Sequence, residues 1–272
     1  MEEFIYQSRG NISYGSFSLL TEAGFINGCS CRGGGESDVI EGTLNLALHV
    51  QDASEKVLAN RRAFAEALGV AYEKFTTCEQ VHGCNIVQVG HEHIGRGALA
   101  YGDTLKGADA LFTILPHVPL LLFYADCVPV ILADQATGAI GLAHAGWRGT
   151  VGRIALKTVR AMQEALGTKP ENILAAIGPS IGACCYEVDD AVRILAAGYE
   201  KFFQPAPDNE GKYMLDLWGY NRELLLKAGL LEKNIIVAAV CTSHNSDKFF
   251  SYRAESGKTG RMGVCIQSNL CK

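Results

Sequence analysis

The sequence lacks a block of basic residues and carries few charges of either sign. Lys and Arg together number 24 against 29 Asp and Glu in 272 residues, which gives a formal net charge of −5. Because no basic run could follow a phosphate backbone, we expect no nucleic-acid partner. Charged residues make up only 19% of the chain and hydrophobic residues 48%. This composition excludes an intrinsically disordered chain.

Long apolar runs and secretion signals are also missing. No hydrophobic segment approaches the roughly 20 residues that a membrane helix requires, so we expect no membrane association. The first ten residues, MEEFIYQSRG, carry two acids where a signal peptide needs basic residues, and no apolar core of signal-peptide length follows. The sequence therefore predicts a cytoplasmic protein.

Ten cysteines are present, but no pair has the spacing Cys-x-x-Cys. This absence argues against zinc sites of the ribbon and finger types. The spacings that do occur include Cys29-x-Cys31 and the adjacent Cys184 and Cys185. Because disulfides are rare in intracellular proteins, we interpret most of these cysteines as buried thiols.

Length and patterning favour a single domain over residues 1–272. Apolar residues recur at helical spacing in four segments, and short β-branched runs between them predict buried strands. Residues 134–138 form a connection too short for a parallel crossover. We therefore expect mixed sheets in a layered α+β (mixed α/β) domain rather than a doubly wound parallel sheet. The predicted helices span residues 54–68, 150–166, 189–203 and 216–228, and the predicted strands residues 86–89, 120–124, 130–133, 139–143, 174–177 and 235–240.

Three stretches place a metal-ligand residue at the end of an apolar strand, beside glycine or proline. They are EQVHG with His82, YADCVP with Cys127 and AHAGWRGT with His144. One thiolate and two imidazoles suit Zn²⁺, and three protein ligands leave a coordination position open for water or substrate. Since 45 and 17 residues separate them, the ligands can meet only through the fold. Taken alone, each residue is more often an ordinary buried cysteine or core histidine.

The stretch AHAGWRGT also has features of an anion-binding segment. Arg148 and Gly149 lie where the strand passes into the predicted helix that begins at Thr150. Backbone N–H groups at a helix start and a bidentate arginine would suit phosphate or carboxylate. The alternative is a tight turn with Arg148 paired to an acid. Asp126, next to Cys127, is interpreted as a proton carrier, a support for a ligand histidine or a turn cap.

Two further loops are candidates for substrate contacts. The stretch IGPSIGACCYEV places Gly178 and Gly182 after a strand, where backbone N–H groups can line a pocket. The tail FFSYRAESGKTGRMG adds Arg253 and Arg261 near glycines. In both loops, ordinary turn formation is the alternative interpretation.

Taken together, the motifs resemble those of the YfiH family, also called the laccase-domain, polyphenol-oxidase-like or peptidoglycan editing factor family. The matching segments run in order from about residue 27 to residue 266. They are EQVHG, ADALFT, ADCVPV, AHAGWRGT, IGPSIGACCYEV, LDLWGYNRELLLKAG and CTSHNSDKFFSYRAESGKTGR.

The resemblance implies a single layered domain with a metal held by His82, Cys127 and His144. It also implies zinc-dependent phosphorolysis of adenosine, inosine and S-methyl-5'-thioadenosine to the free base and (methylthio)ribose 1-phosphate, with deamination of adenosine to inosine. The implied partners are therefore purine nucleosides and phosphate. The older family name implies copper-dependent oxidation of phenols instead. The sequence leaves the oligomeric state and the preferred nucleoside open.

Other positions also match the family, among them Arg32 in SCRGGGES and Asn45 in TLNLALHV, whereas Asn27 stands where the family usually has histidine. The departure at Asn27 leaves substrate preference open. The predicted catalytic residues are His82, Cys127, His144 and Asp126. The predicted substrate- and phosphate-binding residues are Arg32, Asn45, Arg148 and Gly149.

Competing functions follow from the same residues. Cys127 activated by His82 or His144 would give a cysteine hydrolase or amidase that acts on peptidoglycan precursors. One cysteine and two histidines also resemble part of a copper site, although the His-x-His pairs of a multicopper oxidase are absent. A metal- or partner-binding protein without catalysis is the non-enzyme alternative. Metal content and nucleoside turnover distinguish these functions.

Overall fold

The chain forms short helices and a larger number of strands. A computed structural model describes residues 4–40 and 42–270, and these ranges contain six α-helices and fifteen β-strands. Helices α1 to α6 are Ser18–Glu22, Ser54–Leu68, Trp147–Val151, Ile154–Leu166, Asp190–Leu195 and Leu217–Lys227. Strands β1 to β15 are Phe4–Arg9, Ile12–Phe17, Phe25–Ser30, Gly33–Ser37, Ile86–Gln88, Ala110–Thr113, Leu120–Tyr124, Val128–Asp134, Ile140–Ala145, Ile173–Ile177, Glu187–Asp189, Phe203–Pro205, Lys212–Leu215, Ile235–Val237 and Met262–Ser268.

Two large sheets form the centre of the molecule. The first has the strand order β1-β2-β3-β15-β7 and is antiparallel throughout. The second has the order β14-β10-β8-β9-β6-β5, with parallel pairs at its two edges and antiparallel pairs between them. A small antiparallel sheet has the order β11-β13-β12. These sheets confirm the predicted mixed α/β fold class, and the short turn at residues 134–138 joins the antiparallel pair β8 and β9 as expected.

Side-chain alternation along each strand decides which layer a residue faces. In β7, Leu122 packs between the two large sheets and Leu121 packs on the opposite side with residues of α2. In β8, Ile131 packs between the sheets and Val130 packs with α4 and α6. The layers are therefore α2, the first sheet, the second sheet, and α4 with α6. Because both faces of these strands are covered, their sequences are apolar almost without interruption.

Two predicted helices are confirmed and two are wrong in part. Helix α2 has the predicted bounds, and α6 begins after Asp216, whose carboxylate accepts the N–H of Gly219 at 2.9 Å. The segment predicted at 150–166 instead contains the end of α3 and the whole of α4, because Arg153 adopts a left-handed backbone with φ of 63° between them. The helix predicted at 189–203 ends at Leu195, before Gly198 with φ of 84°. Among the described residues, no helix is long and apolar enough to cross a membrane.

All six predicted strands form, with ends that shift by up to three residues. Most strands of the first sheet, including β3 and β15, were not predicted from the sequence. Polar residues interrupt the apolar pattern there. In β3, Asn27 accepts the backbone N–H of Phe17 at 2.7 Å and donates to the Phe17 carbonyl, so its side chain is satisfied inside the fold. A polar residue with such partners leaves no periodic signal in the sequence.

Candidate active site

The fold brings the three predicted metal ligands together. His82 lies in the loop before β5, Cys127 lies in the turn between β7 and β8, and His144 lies near the end of β9. Their ligand atoms are all within 4.8 Å of one another. The rings of His82 and His144 have centroids 4.8 Å apart and an interplanar angle of 79°. Residues that the sequence offers at three separate positions therefore form one cluster at the edge of the two central sheets.

Unusual backbone conformations position these ligands. His82 has a φ of 61°, and Asp126, directly before Cys127, has a φ of 80°. Left-handed backbone at residues other than glycine costs about 1–3 kcal/mol and is found mainly where the surrounding fold imposes it at functional sites. Gly146 contributes through its small size, because a Cβ atom there would lie 2.9 Å from the Sγ of Cys127 and would crowd the thiol.

Asp109, fully buried before β6, connects the ligand loops. Its Oδ1 accepts hydrogen bonds from Nδ1 of His144 and from the backbone N–H of His82, both at 2.9 Å. Its Oδ2 accepts the backbone N–H of Gly83 at 2.7 Å. With Nδ1 bonded to a carboxylate, Nε2 of His144 is the atom free to bind a metal. Asp109 was not among the site residues predicted from the sequence, although the family-like motif ADALFT contains it.

The thiol and imidazole in this cluster stabilise each other's charged forms. Burial opposes ionisation of Cys127, but the charge of His144 and hydrogen bonds from both histidines outweigh it and lower the pKa of the thiol to about 6. Burial also disfavours the imidazolium of His144, but Cys127 and Asp109 raise its pKa to about 9. The arrangement therefore favours the thiolate of Cys127, which is the form that binds metals and acts as a nucleophile.

The donor set fits a catalytic zinc ion. Thiolate sulfur and imidazole nitrogen are the ligands that Zn²⁺ prefers, and a carboxylate on the far nitrogen of a ligand histidine is the usual support for such a site. His82 is exposed and Cys127 is half-buried, so the cluster opens on one side to solvent. His82, Cys127 and His144 would hold the ion and leave a coordination position facing a cavity.

The cavity beside the cluster has a volume of about 540 Å³. Its walls contain the three ligands together with several aromatic rings that the sequence analysis did not assign to the site. Burial and the neighbouring Arg261 and Arg61 lower the pKa of His49 to about 4, so this imidazole is neutral near pH 7. The rings in the wall are His49, Tyr101, Phe123, Trp147, Tyr186 and Tyr252.

The predicted anion-binding segment is only partly where the sequence placed it. Arg148 lies in the cavity wall, exposed, with its guanidinium 4.4 Å from the ring centroid of Trp147. Gly149 is buried within α3 and does not line the cavity. The helix begins at Trp147, not after Gly149, and α3 has only five residues. The expected cradle at the start of a long helix is therefore wrong, whereas Arg148 does face the cavity.

Arg32 and Asn45 lie outside the cavity lining. They contact residues 250–261, a segment that supplies part of the cavity wall. Arg32 forms an ion pair with Glu255 at 2.9 Å, and its guanidinium lies over the ring of Phe250. Asn45 accepts the backbone N–H of Arg261 at 3.0 Å. Both residues therefore support residues 251–261 rather than face the ligand space. Asn27, the departure from the family pattern, does not line the cavity either.

Asp126 lines the cavity, but its carboxylate is already engaged. Its Oδ1 accepts the hydroxyl of Thr242 at 2.7 Å, and its Oδ2 accepts the backbone N–H of Arg253 at 2.7 Å. This geometry favours a positioning role over the predicted proton transfer. The stretch FFSYRAESGKTGRMG supplies Arg253 and Arg261 to the cavity wall. Their position favours the interpretation of this loop as a substrate contact over ordinary turn formation.

Comparisons with known proteins identify the family of this chain. Residues 26–269 match the family described as multi-copper polyphenol oxidoreductase laccase. The purine nucleoside phosphorylase YlmD of Geobacillus stearothermophilus is 42% identical over 243 residues, which cover 88% of this chain and 89% of the relative. A purine nucleoside phosphorylase of Deinococcus radiodurans is 42% identical over 224 residues, covering 80% of this chain and 81% of the relative.

Solved structures show the same fold. The crystal structure of YlmD from Geobacillus stearothermophilus superposes with a TM-score of 0.92 at 37% identity and covers 99% of this chain and 100% of that one. The crystal structure of the Bacillus licheniformis hypothetical protein YfiH gives a TM-score of 0.90 at 35% identity, with coverage of 97% and 98%. The chain therefore belongs to the laccase-domain (YfiH) family of multi-copper polyphenol oxidoreductase type, in which similar relatives are named purine nucleoside phosphorylases.

Proposed function

We propose that this protein is a zinc-dependent purine nucleoside phosphorylase that acts on adenosine, inosine and S-methyl-5'-thioadenosine and also deaminates adenosine. The observation that carries the proposal is the open cluster of His82, Cys127 and His144 in the wall of a cavity with aromatic and arginine side chains. The names of the similar phosphorylases support the same chemistry.

The cavity suits a purine nucleoside in size and in lining. Its volume of about 540 Å³ lies within the range of small-molecule sites, which is about 300–1,000 Å³. His49 lies between Tyr101 and Phe123, with ring centroids 5.5 and 5.9 Å away. Flat aromatic faces stack on a purine, and a neutral His49 can donate or accept one hydrogen bond at the base edge. We assign this wall to the base.

Three arginines in the cavity wall suit phosphate. Arg253 and Arg261 donate to backbone carbonyls, which fixes their guanidinium groups near the cavity without cancelling their charge. Within the described part of the chain, Arg148 makes a ring contact with Trp147 and no ion pair. Its guanidinium can therefore turn to form a bidentate contact with phosphate.

In the proposed phosphorolysis, a phosphate oxygen bonds to the anomeric carbon of the sugar while the bond from that carbon to the purine nitrogen breaks. The purine leaves with the electron pair of that bond and takes up a proton. The arginines hold the nucleophile beside the sugar and stabilise its charge, which lowers the barrier by fixing the reacting groups. Zinc, when bound, supplies Lewis acidity and lowers the pKa of a water ligand to about 7, which suits the deamination.

The test is chromatographic analysis of purified protein incubated with adenosine, with and without phosphate. We expect free adenine, hypoxanthine and ribose 1-phosphate only when phosphate is present, and inosine from deamination in both cases. Cys127→Ala should abolish both reactions, whereas Cys84→Ala, a half-buried cysteine outside the cavity lining, should retain them. Release of adenine at the same rate without phosphate would contradict the phosphorylase proposal.

A cysteine hydrolase acting on peptidoglycan precursors is the second candidate, because one observation favours it. Cys127, His144 and Asp109 have the order of a nucleophile, a base and a carboxylate that orients the base. Metal analysis separates the two functions, since a thiolate bound to zinc is a poor free nucleophile. A metal-free protein that is inert to nucleosides and is inactivated by alkylation of Cys127 would favour the hydrolase. Copper in place of zinc would favour the phenol oxidase.

A further inference from the structure

A second group of metal-ligand side chains lies outside the catalytic cluster. It consists of Cys184, Cys185, Cys241 and His244, which we call the Cys184 cluster. Each side chain offers one ligand atom, and all four atoms lie within 4.8 Å of one another. Sγ of Cys184 is 3.4 Å from Nδ1 of His244. The absence of Cys-x-x-Cys concealed this group in the sequence, because its members come from two distant loops.

Sheet topology explains why these loops meet. Strands β10 and β14 are parallel neighbours, so their carboxyl ends reach the same edge of the second sheet. The loop after β10 carries Cys184 and Cys185, and the loop after β14 carries Cys241 and His244. The two loops continue the pairing, since the N–H of Ser180 donates to the carbonyl of residue 240 at 3.2 Å.

Local contacts hold the donors in place without any ion. The backbone N–H of Gly182 donates to Sγ of Cys241 at 3.3 Å, and the N–H of Cys185 donates to the carbonyl of Gly182 at 3.0 Å. A Cβ atom at Gly182 would lie 2.9 Å from the ring of Trp218 and 3.2 Å from Sγ of Cys184. The turn is therefore packed closely around the thiols.

The donor set is that of a closed structural zinc site. Three cysteines and one histidine are one of the usual ligand sets of structural zinc, which is tetrahedral with Zn–S distances of about 2.3 Å. Such a tetrahedron separates its sulfur atoms by about 3.8 Å, so ligand atoms within 4.8 Å of one another need to move by about 1 Å or less. Cys184 and His244 are exposed, so an ion has access from solvent.

We propose that the Cys184 cluster binds one zinc ion with a structural role, in addition to the ion at Cys127. Two contacts join this ion to the catalytic cavity. Tyr186, directly after Cys185, lines the cavity. Thr242, directly after Cys241, donates its hydroxyl to Asp126, which precedes Cys127. A bound ion fixes both loops and thereby the wall that they support.

Counting zinc in four variants tests the proposal. The protein is purified under reducing conditions, equilibrated with buffered free zinc and analysed for metal. We expect two ions per chain in the wild type, one in Cys127→Ala and one in the double variant Cys184→Ser/His244→Ala. Combining all three substitutions should leave none. His91→Ala, which removes an exposed histidine elsewhere, should retain two ions.

Cobalt gives a second readout that does not depend on activity. In Cys127→Ala, Co²⁺ bound at the Cys184 cluster should show strong sulfur-to-cobalt charge-transfer absorption, and Cys184→Ser should weaken it. Counting free thiols by mass spectrometry tests the alternative arrangement, which is a disulfide between two of the three cysteines. A metal-free cluster in Cys127→Ala, or a disulfide in the protein purified under reducing conditions, would overturn the proposal. Neither result would bear on phosphorolysis at Cys127.

Discussion

Replacing Asp109 with asparagine removes the charge that orients His144 but leaves the size of the side chain unchanged. The carboxylate accepts three hydrogen bonds, two at Oδ1 and one at Oδ2. The hydrogen bonds also favour its charged form, since they outweigh burial and lower the pKa of Asp109 below its usual value. The substituted amide can keep its oxygen toward His82 and His144, and its nitrogen then faces the N–H of Gly83.

The size of the effect follows from these contacts. The N–H of Gly83 loses its acceptor and meets a second donor, which costs about 1–3 kcal/mol for an unsatisfied buried group. The other two hydrogen bonds lose their charge assistance, which costs about 1 kcal/mol each. We expect Asp109→Asn to lower the free energy of unfolding of the metal-free protein by about 3–5 kcal/mol. Zinc affinity should fall by about 10- to 100-fold, as for other carboxylates that support a ligand histidine.

Urea denaturation of the metal-free protein and competition for zinc with a coloured chelator measure the two effects. Asp134→Asn is the matched control, because Asp134 is also fully buried and accepts the N–H groups of residues 136 and 137, at the opposite end of β8 from Cys127. The substituted amide can keep both hydrogen bonds through its oxygen, and its nitrogen takes the place of Oδ2, which has no hydrogen-bond partner among the described residues, so zinc affinity at the catalytic cluster should be unchanged. Unchanged zinc affinity in Asp109→Asn, or an equal loss of zinc affinity in Asp134→Asn, would refute the role given to Asp109.

Three further substitutions test the space beside Cys127, the phosphate contact of Arg148 and the hydrogen bonds of the buried Arg61. Gly146→Ala places a methyl group 2.9 Å from the Cys127 thiol and should weaken zinc binding at least about tenfold, whereas Gly33→Ala meets no atom within 4 Å and should leave it unchanged in the same chelator competition. Arg148→Ala should raise the phosphate KM about tenfold or more with little effect on folding; an unchanged KM would exclude a phosphate contact. Arg61→Met leaves three buried carbonyls without their donor and should lower the free energy of unfolding by about 3–5 kcal/mol in urea titrations.

The sequence predicted the second sheet well and the first sheet poorly, for a physical reason. Strands such as β8 are buried on both faces and consist almost entirely of apolar residues, so the sequence reveals them without knowledge of their partners. Strand β3 contains Asn27, whose amide pairs with the backbone of Phe17, and nothing local reveals that pairing. The break between α3 and α4 was missed because Arg153 adopts left-handed backbone, which its side chain does not require.

The candidate site shows the same difference between residues that the sequence reveals and residues that depend on tertiary contacts. His82, Cys127 and His144 carry a chemical signal in their side chains, so they could be proposed before the fold was known. Asp109 acts through hydrogen bonds to groups 26 to 35 residues away. Its role depends on tertiary contacts that no spacing rule contains. Gly149 was predicted to bind an anion but does not line the cavity, because this glycine is buried inside α3.

The zinc dependence of phosphorolysis is tested most directly by a zinc titration of the metal-free protein while phosphate-dependent release of adenine is followed. The variant Cys184→Ser/His244→Ala restricts loading to the cluster of His82, Cys127 and His144. We predict that turnover is absent without metal, rises in proportion to added zinc and reaches its plateau at one equivalent per chain. Full phosphate-dependent turnover by the metal-free protein would contradict a zinc-dependent phosphorylase.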